Sequence, residues 1–297
     1  MMRRILVVCV LLLASCVAVV PAEAATAPPP PPPPPPPRAN SSARPVYFVP
    51  GFSSASSHGD LWDGQWKPVY EAMKRWGWSG SPHVVCFYTN ASGCNTRIES
   101  GTYAVDLRWL GSRLAWNIYS SFTKYGVYVD VMAHSMGGLI VRAAVTGVKK
   151  KHPDFPSHLY IEDVATLGTP HSAPPLATYC TGLTGSQQCN DMQEGSAFRQ
   201  WLLENPNTGY NYGPDWTLIG SDADTVVPRS AAHGMDAGHY VRYHASAGID
   251  HGELVSLTSG AYSQSYWNYY DDKWYTDSTG AVPTRAARNA LYYWKDW

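Results

Sequence analysis

The sequence predicts an α/β fold with a mostly parallel central sheet and helices on both faces. Three observations predict it. Short apolar runs rich in β-branched and aromatic residues recur along the chain. Longer stretches with apolar residues at helical spacing separate them. Turns marked by glycine and proline sit at the junctions. Alternating strands and helices imply parallel pairing, because parallel neighbours need a crossover, and that crossover covers the sheet.

Taken in order, Pro45-Val46-Tyr47-Phe48-Val49 reads as a first buried strand, ended by Pro50-Gly51. Residues 62–76 carry Trp66, Val69, Met73 and Trp76 at helical spacing and stop at Gly77. Residues 83–88 form a second strand. Tyr103, Leu107, Leu110, Leu114 and Ile118 make one stripe of a long helix, which Gly126 ends. Residues 127–132 are a third strand. Residues 136–149 are a helix with Leu139, Ile140, Ala143 and Ala144 turned inward. Residues 161–167, 216–219 and 239–243 read as further strands, and residues 284–294 as a last helix. Residues 169–215 break the rhythm. They are rich in Gly, Ser, Gln and Asn and read as an excursion over one end of the sheet.

The flanks divide the chain of 297 residues into three parts. Residues 1–25 read as a secretory signal: Arg3 and Arg4, an apolar run from Ile5 to Val20, then the small residues around Ala22-Glu23-Ala24. Leu13-Ala14-Ser15-Cys16 resembles a lipobox. A chance match inside the apolar run is preferred to a lipid on Cys16, so free export is the expectation. Residues 26–44 read as a linker, in which Pro28 to Pro37 form a stiff polyproline rod. Residues 45–297 are the expected domain. Without Arg3, Arg4, Arg38 and Arg44 on one side and Glu23 on the other, the formal charge of −1 becomes about −4. That balance excludes a nucleic-acid partner, which needs a basic face.

Four cysteines follow the signal: Cys86, Cys94, Cys180 and Cys189. An even count in an exported chain points to disulfides, and each local pair (86 with 94, 180 with 189) brackets a short polar loop. Neither pair has the spacing or histidines of a zinc site, so no metal is expected.

The chemistry centres on Ala133-His134-Ser135-Met136-Gly137-Gly138, at the junction of a strand and a helix. A serine on such a turn exposes its hydroxyl at the carboxyl edge of the sheet. The turn is tight, so it needs small residues two positions either side, here Ala133 and Gly137. The helix start also puts the Met136 N–H near the reacting oxygen. A serine hydroxyl needs a base and an orienting acid. In Gly220-Ser221-Asp222-Ala223-Asp224-Thr225-Val226-Val227-Pro228 two acids compete. Asp224 is preferred because it opens a D-x-x-V-P stretch, while Asp222 sits nearer the strand end. In Ala247-Gly248-Ile249-Asp250-His251-Gly252, His251 lies in a loop behind the last strand, where a base would reach Ser135. His233, His239 and His244 are its rivals, and His134 reads as a neighbour of the nucleophile. The turn Pro50-Gly51-Phe52-Ser53 offers the Phe52 N–H as a second oxyanion donor.

With these pieces in hand, the sequence resembles the secreted bacterial lipases and esterases of the α/β-hydrolase superfamily, notably small lipases with an alanine-opened elbow and class 2 lipases. The matching stretches are Val49 to Phe52, Ala133 to Gly138, Ala165-Thr166-Leu167-Gly168-Thr169-Pro170-His171, Asp224 to Pro228 and Gly248 to Leu254. The resemblance implies the α/β-hydrolase fold and a Ser135–His251–Asp224 triad, with Phe52 and Met136 as the oxyanion hole. It also implies acyl transfer to water without a cofactor. The expected partner is a small-molecule or lipid ester, with a lipid surface as a further contact, and the expected state is a monomer. Pro50 departs from relatives that have histidine before the glycine. Other acyl hydrolases or transferases on the same scaffold (polyester depolymerase, peptidase) remain alternatives, as does a non-catalytic module that binds glycans or lipids through the aromatic tail. That tail begins at Gly260 and holds Tyr262, Tyr266, Trp267, Tyr269, Tyr270, Trp274 and Tyr275. Packing of the tail onto the domain is the preferred reading.

Overall fold

The computed structural model describes residues 37–173, 180, 185–206, 213–268 and 272–293. The leader expected at 1–25, Cys16 and most of the polyproline run lie outside the described residues, as do Tyr269, Tyr270 and parts of the 169–215 excursion.

Nine strands form one sheet: β1 Val46–Val49, β2 Pro82–Tyr88, β3 Thr96–Gly101, β4 Val129–His134, β5 Ile161–Leu167, β6 Asp215–Ser221, β7 His239–Tyr243, β8 Ala261–Asn268 and β9 Lys273–Ala281. Their order is β3-β2-β1-β4-β5-β6-β7-β8-β9. β1 to β7 pair in parallel, while β8 and β9 add antiparallel. β1, β2, β4, β5 and β6 are buried on nearly every residue, as a sheet covered on both faces requires.

The helices follow the predicted stripes. α1, Lys67–Arg75, starts with a proline in its first turn after a π-turn at Trp62–Trp66. It turns Val69, Ala72 and Met73 inward, and the Trp66 ring stacks on Phe48 of β1 at 4.8 Å. α2, Leu107–Ser121, is capped by Asp106, whose carboxylate accepts the Trp109 N–H at 2.7 Å. α3, Met136–Lys149, packs on α2 and is buried along almost its whole length. The terminal helix Pro283–Tyr292 packs on β4, β5 and β6 and also touches α1. Two disulfides join Cys86 to Cys94 and Cys180 to Cys189. Among the described residues, no helix is long and apolar enough to cross a membrane.

Three strands lie where none was predicted. β3 is a short polar strand at one edge of the sheet. β8 and β9 come from the aromatic tail and pair Tyr266 with Tyr275 and Trp267 with Trp274 across the ladder. The end of the expected linker is tied to the folded unit. Ala39 N–H donates to Glu162 at 3.2 Å, and the Ser42 carbonyl accepts from Ser79 and Gly80. Arg44 pairs with Glu162 at 2.6 Å.

Candidate active site

Ser135 stands between the last residue of β4 and the first of α3 with φ 54° and ψ −132°. A residue with a side chain avoids this backbone region, so the surroundings must hold it there. The Ser135 N–H donates to the Leu167 carbonyl at 2.9 Å. The Ser135 carbonyl accepts from the Gly138 N–H at 3.1 Å and the Thr169 hydroxyl at 2.8 Å. The turn after β1 locks against this elbow. A Cβ on Gly51 would lie 2.8 Å from the Ser135 Cβ, and one on Gly137 would fall on the Val49 and Pro50 carbonyls. Two glycines thus allow backbone contacts that any larger residue would break. Phe52, the residue after Gly51, lines the same cavity as Ser135. The elbow's internal hydrogen bonds use the N–H groups of Ser135 and Gly138, while Met136 opens α3 with its N–H at the positive end of the helix.

On the far side of the cavity, His251 Nδ1 lies 2.7 Å from Asp224 Oδ2. The other Asp224 oxygen, Oδ1, accepts the Val226 and Val227 N–H groups at 2.8 and 2.9 Å. The carboxylate is buried and fully occupied, so the imidazole it holds has one orientation. Asp222 is elsewhere, between Arg229 and Arg242, each at 2.7 Å. Burial alone would raise the Asp222 carboxyl. The two arginine hydrogen bonds outweigh it and hold the group below the usual carboxylate range. The rival histidines are engaged away from Ser135: His233 with the Val241 carbonyl, His239 with Asp215 and His244 with Ser265.

Two further histidines join the site: His134, read from the sequence as a neighbour of the nucleophile, and His58, which the sequence does not single out. His134 Nε2 lies 3.0 Å from the His251 carbonyl, and the two rings are 4.7 Å apart. Desolvation, and then the charge on His251, pull His134 down to about 3, so its ring is neutral and donates that bond. His58 Nε2 lies 2.9 Å from the Gly51 carbonyl, and burial lowers its basicity too. His58 thus braces the loop that carries Phe52. A histidine in the polar run Ser53-Ser54-Ala55-Ser56-Ser57-His58 has no periodicity to mark it, so only the fold reveals it. The cavity of about 220 Å³ is lined by Ser135 and His251 together with Phe52, Pro170, Met192 and Val227, among others. Met192 comes from the excursion, on the short helix Gln187–Met192.

Residues 48–174 match the family described as "Putative serine esterase (DUF676)". No curated protein matches the chain at a significant level. Among solved structures, the mature Bacillus licheniformis lipase BlEst2 is 18% identical, with a TM-score of 0.40 over 62% of this chain and 68% of that one. Aspergillus fumigatus lipase B is 12% identical, with a TM-score of 0.47 over 86% and 59%. The Pyrococcus furiosus esterase Pf2001 is 14% identical, with a TM-score of 0.40 over 72% and 74%. With its mostly parallel sheet, its strained serine between strand and helix and the match of residues 48–174 to a serine esterase family, the chain has the α/β-hydrolase fold and is a carboxylic ester hydrolase.

Proposed function

We propose that this chain is an exported serine hydrolase that cleaves short-chain carboxylic esters through Ser135, His251 and Asp224. The observation that carries the reading is the 2.7 Å contact from His251 to buried Asp224, at a cavity that the strained Ser135 also lines. Ser135 Oγ attacks the ester carbonyl carbon while His251 Nε2 takes its proton. The Phe52 and Met136 N–H groups hold the oxyanion. His251 then gives the proton to the departing alcohol and leaves the acyl group on Ser135. Water, deprotonated by His251, attacks the acyl-enzyme, releases the acid and restores the serine. Asp224 fixes the tautomer and steadies the charged imidazole. His134 positions His251 through its carbonyl.

The lining of Phe52, Pro170, Met192, Val226 and Val227 suits an acyl chain. Its 220 Å³ is below the roughly 300–1,000 Å³ of drug-sized sites, which favours short chains. The two disulfides support an oxidising destination. Residues 1–25 would direct export and residues 26–44 would tether or space the domain, which works as a monomer without a cofactor. Cys16 carries no lipid in this reading.

The test is hydrolysis of p-nitrophenyl esters of graded acyl length by the full chain, Ser135→Ala and His251→Ala. Each variant should lose activity on the order of 10⁵-fold. A folded Ser135→Ala that retains full activity would refute the assignment, and a rising rate with long chains would refute the short-chain preference.

A further inference from the structure

Behind the wall of the Ser135 cavity lies a second cavity of about 410 Å³, lined by Arg142, His171, Arg199 and Glu194 among others. Arg142 is 5% exposed, on α3. Its Nε and Nη2 donate to the Leu203 carbonyl at 3.0 and 2.6 Å, and its Nη1 to the His171 carbonyl at 2.8 Å. Arg199 donates to the carbonyls of Met192 at 2.7 Å, His171 at 3.3 Å and Pro170 at 3.2 Å. Each guanidinium has five N–H donors, so each keeps two beyond these three bonds.

Three other arginines at least partly enclosed in this chain meet carboxylates, while Arg288, whose Nε is buried, does not. Arg44 pairs with Glu162, and Arg229 and Arg242 with Asp222. Arg142 and Arg199 do not. Among the described residues, no carboxylate oxygen lies within 4.0 Å of either. They also share an acceptor, the His171 carbonyl, so their Nη1 atoms are at most about 6 Å apart and the two cations repel. Burial, and for Arg142 then the charge of Arg199, lowers both to about 10, against a smaller opposing pull from exposed Glu204 on Arg142 and exposed Glu194 on Arg199, and both stay charged at neutral pH. Two like charges brought together out of water need compensation. The carbonyls they hold, Leu203 by Arg142, Met192 and Pro170 by Arg199 and His171 by both, are neutral and do not balance the two charges.

His171 supplies a third group. Its Nε2 lies 3.0 Å from the Thr166 hydroxyl, and its buried Nδ1 has no partner. With Thr166 as donor, the proton sits on Nδ1.

We propose that Arg142, Arg199 and His171 bind a phosphate-class oxyanion, as the free ion or as the headgroup of an anionic phospholipid. The paired cations with spare N–H donors suit a ligand with several charged oxygens. Exposed Glu194, at the same cavity, competes with the ligand for Arg199. The site adjoins the acyl cavity: Pro170 and Met192 line that cavity, and their carbonyls are held by Arg199.

The experiment uses the full chain, Arg199→Gln and Glu194→Gln, with inorganic phosphate titrated at constant ionic strength. Wild type should show a saturable rise in Tm of about 5 °C at 100-fold over Kd. Arg199→Gln should weaken binding about tenfold or more. Glu194→Gln, which leaves the arginine bonds intact, should tighten it about threefold. Sedimentation with phosphatidylglycerol or phosphatidylcholine vesicles then separates the sources. Capture by phosphatidylglycerol alone, competed by phosphate and lost in Arg199→Gln, assigns the headgroup. Saturable phosphate binding without capture assigns the free ion. An unsaturable rise, equal in wild type, Arg199→Gln and Glu194→Gln, is the general effect of an excluded salt. Without vesicle capture that depends on Arg199, it overturns the site.

Discussion

Acid should weaken this fold through His171. The side chain is 3% exposed, and burial, followed by Arg142 and Arg199, holds its imidazole well below the ordinary 6.5. The folded ring therefore stays neutral where the unfolded ring charges. The stability that neutrality confers is complete above about pH 6.5 and is lost as the pH falls below it. At pH 5 protonation favours the unfolded chain by at most about 2 kcal/mol, the limit set by the 1.5 pH units below 6.5. The perturbation is His171→Gln, whose amide can still accept from Thr166. The assay is urea unfolding at pH 7 and pH 5 in phosphate-free buffer. Between the two pH values the variant should gain on wild type, by at most about 2 kcal/mol, or roughly 0.7 M in midpoint for a slope near 3 kcal/mol/M. Other titrating groups act on both proteins and cancel in the comparison. A gap between the two proteins that does not change with pH would refute the reasoning.

Three further outcomes can be checked directly. Asp224→Asn should cut kcat about 10⁴-fold, because the imidazole loses its tautomer, while Asp222→Asn should change kcat only a few-fold. Gly51→Ala forces a Cβ to 2.8 Å from that of Ser135, so ester hydrolysis should fall about 10²-fold as the Phe52 donor is displaced, with about 1–3 kcal/mol lost in urea unfolding. Cys86→Ser with Cys94→Ser opens a loop of sequence separation 8 and should cost about 2.5 kcal/mol, read as a lower Tm and one disulfide fewer by mass.

Much of the scaffold was legible because its signals are local. The strand β5 matches the apolar run at 161–167, and α3 runs from Met136 to Lys149 as its stripe predicts. The residues expected to act together share a cavity or a hydrogen bond because each follows a strand of the parallel sheet, and the turns at the carboxyl ends converge. What was not legible depends on distant partners. Arg44 looked like the end of a linker, yet its partner Glu162 is on β5. β3 is short and polar, and its pairing rests on β2 more than on its own composition. The tail reads as aromatic without a clean alternation. Its strand character comes from β7, which offers an open edge to Tyr266 and Trp267. The roles of His58 and His134 rest on carbonyl acceptors, which carry no residue-type signal.

The order of the sheet has a consequence for how the chain assembles. Beyond β4, each later strand adds beside the one before it, from β5 to β9. During synthesis every new strand from β5 onward meets a template that has already emerged. The left side of the sheet and the Ser135 turn belong to the first 140 or so residues, whereas His251 follows β7. A nascent chain therefore displays Ser135 well before His251 has emerged, and the proposed triad can assemble only as the last third arrives.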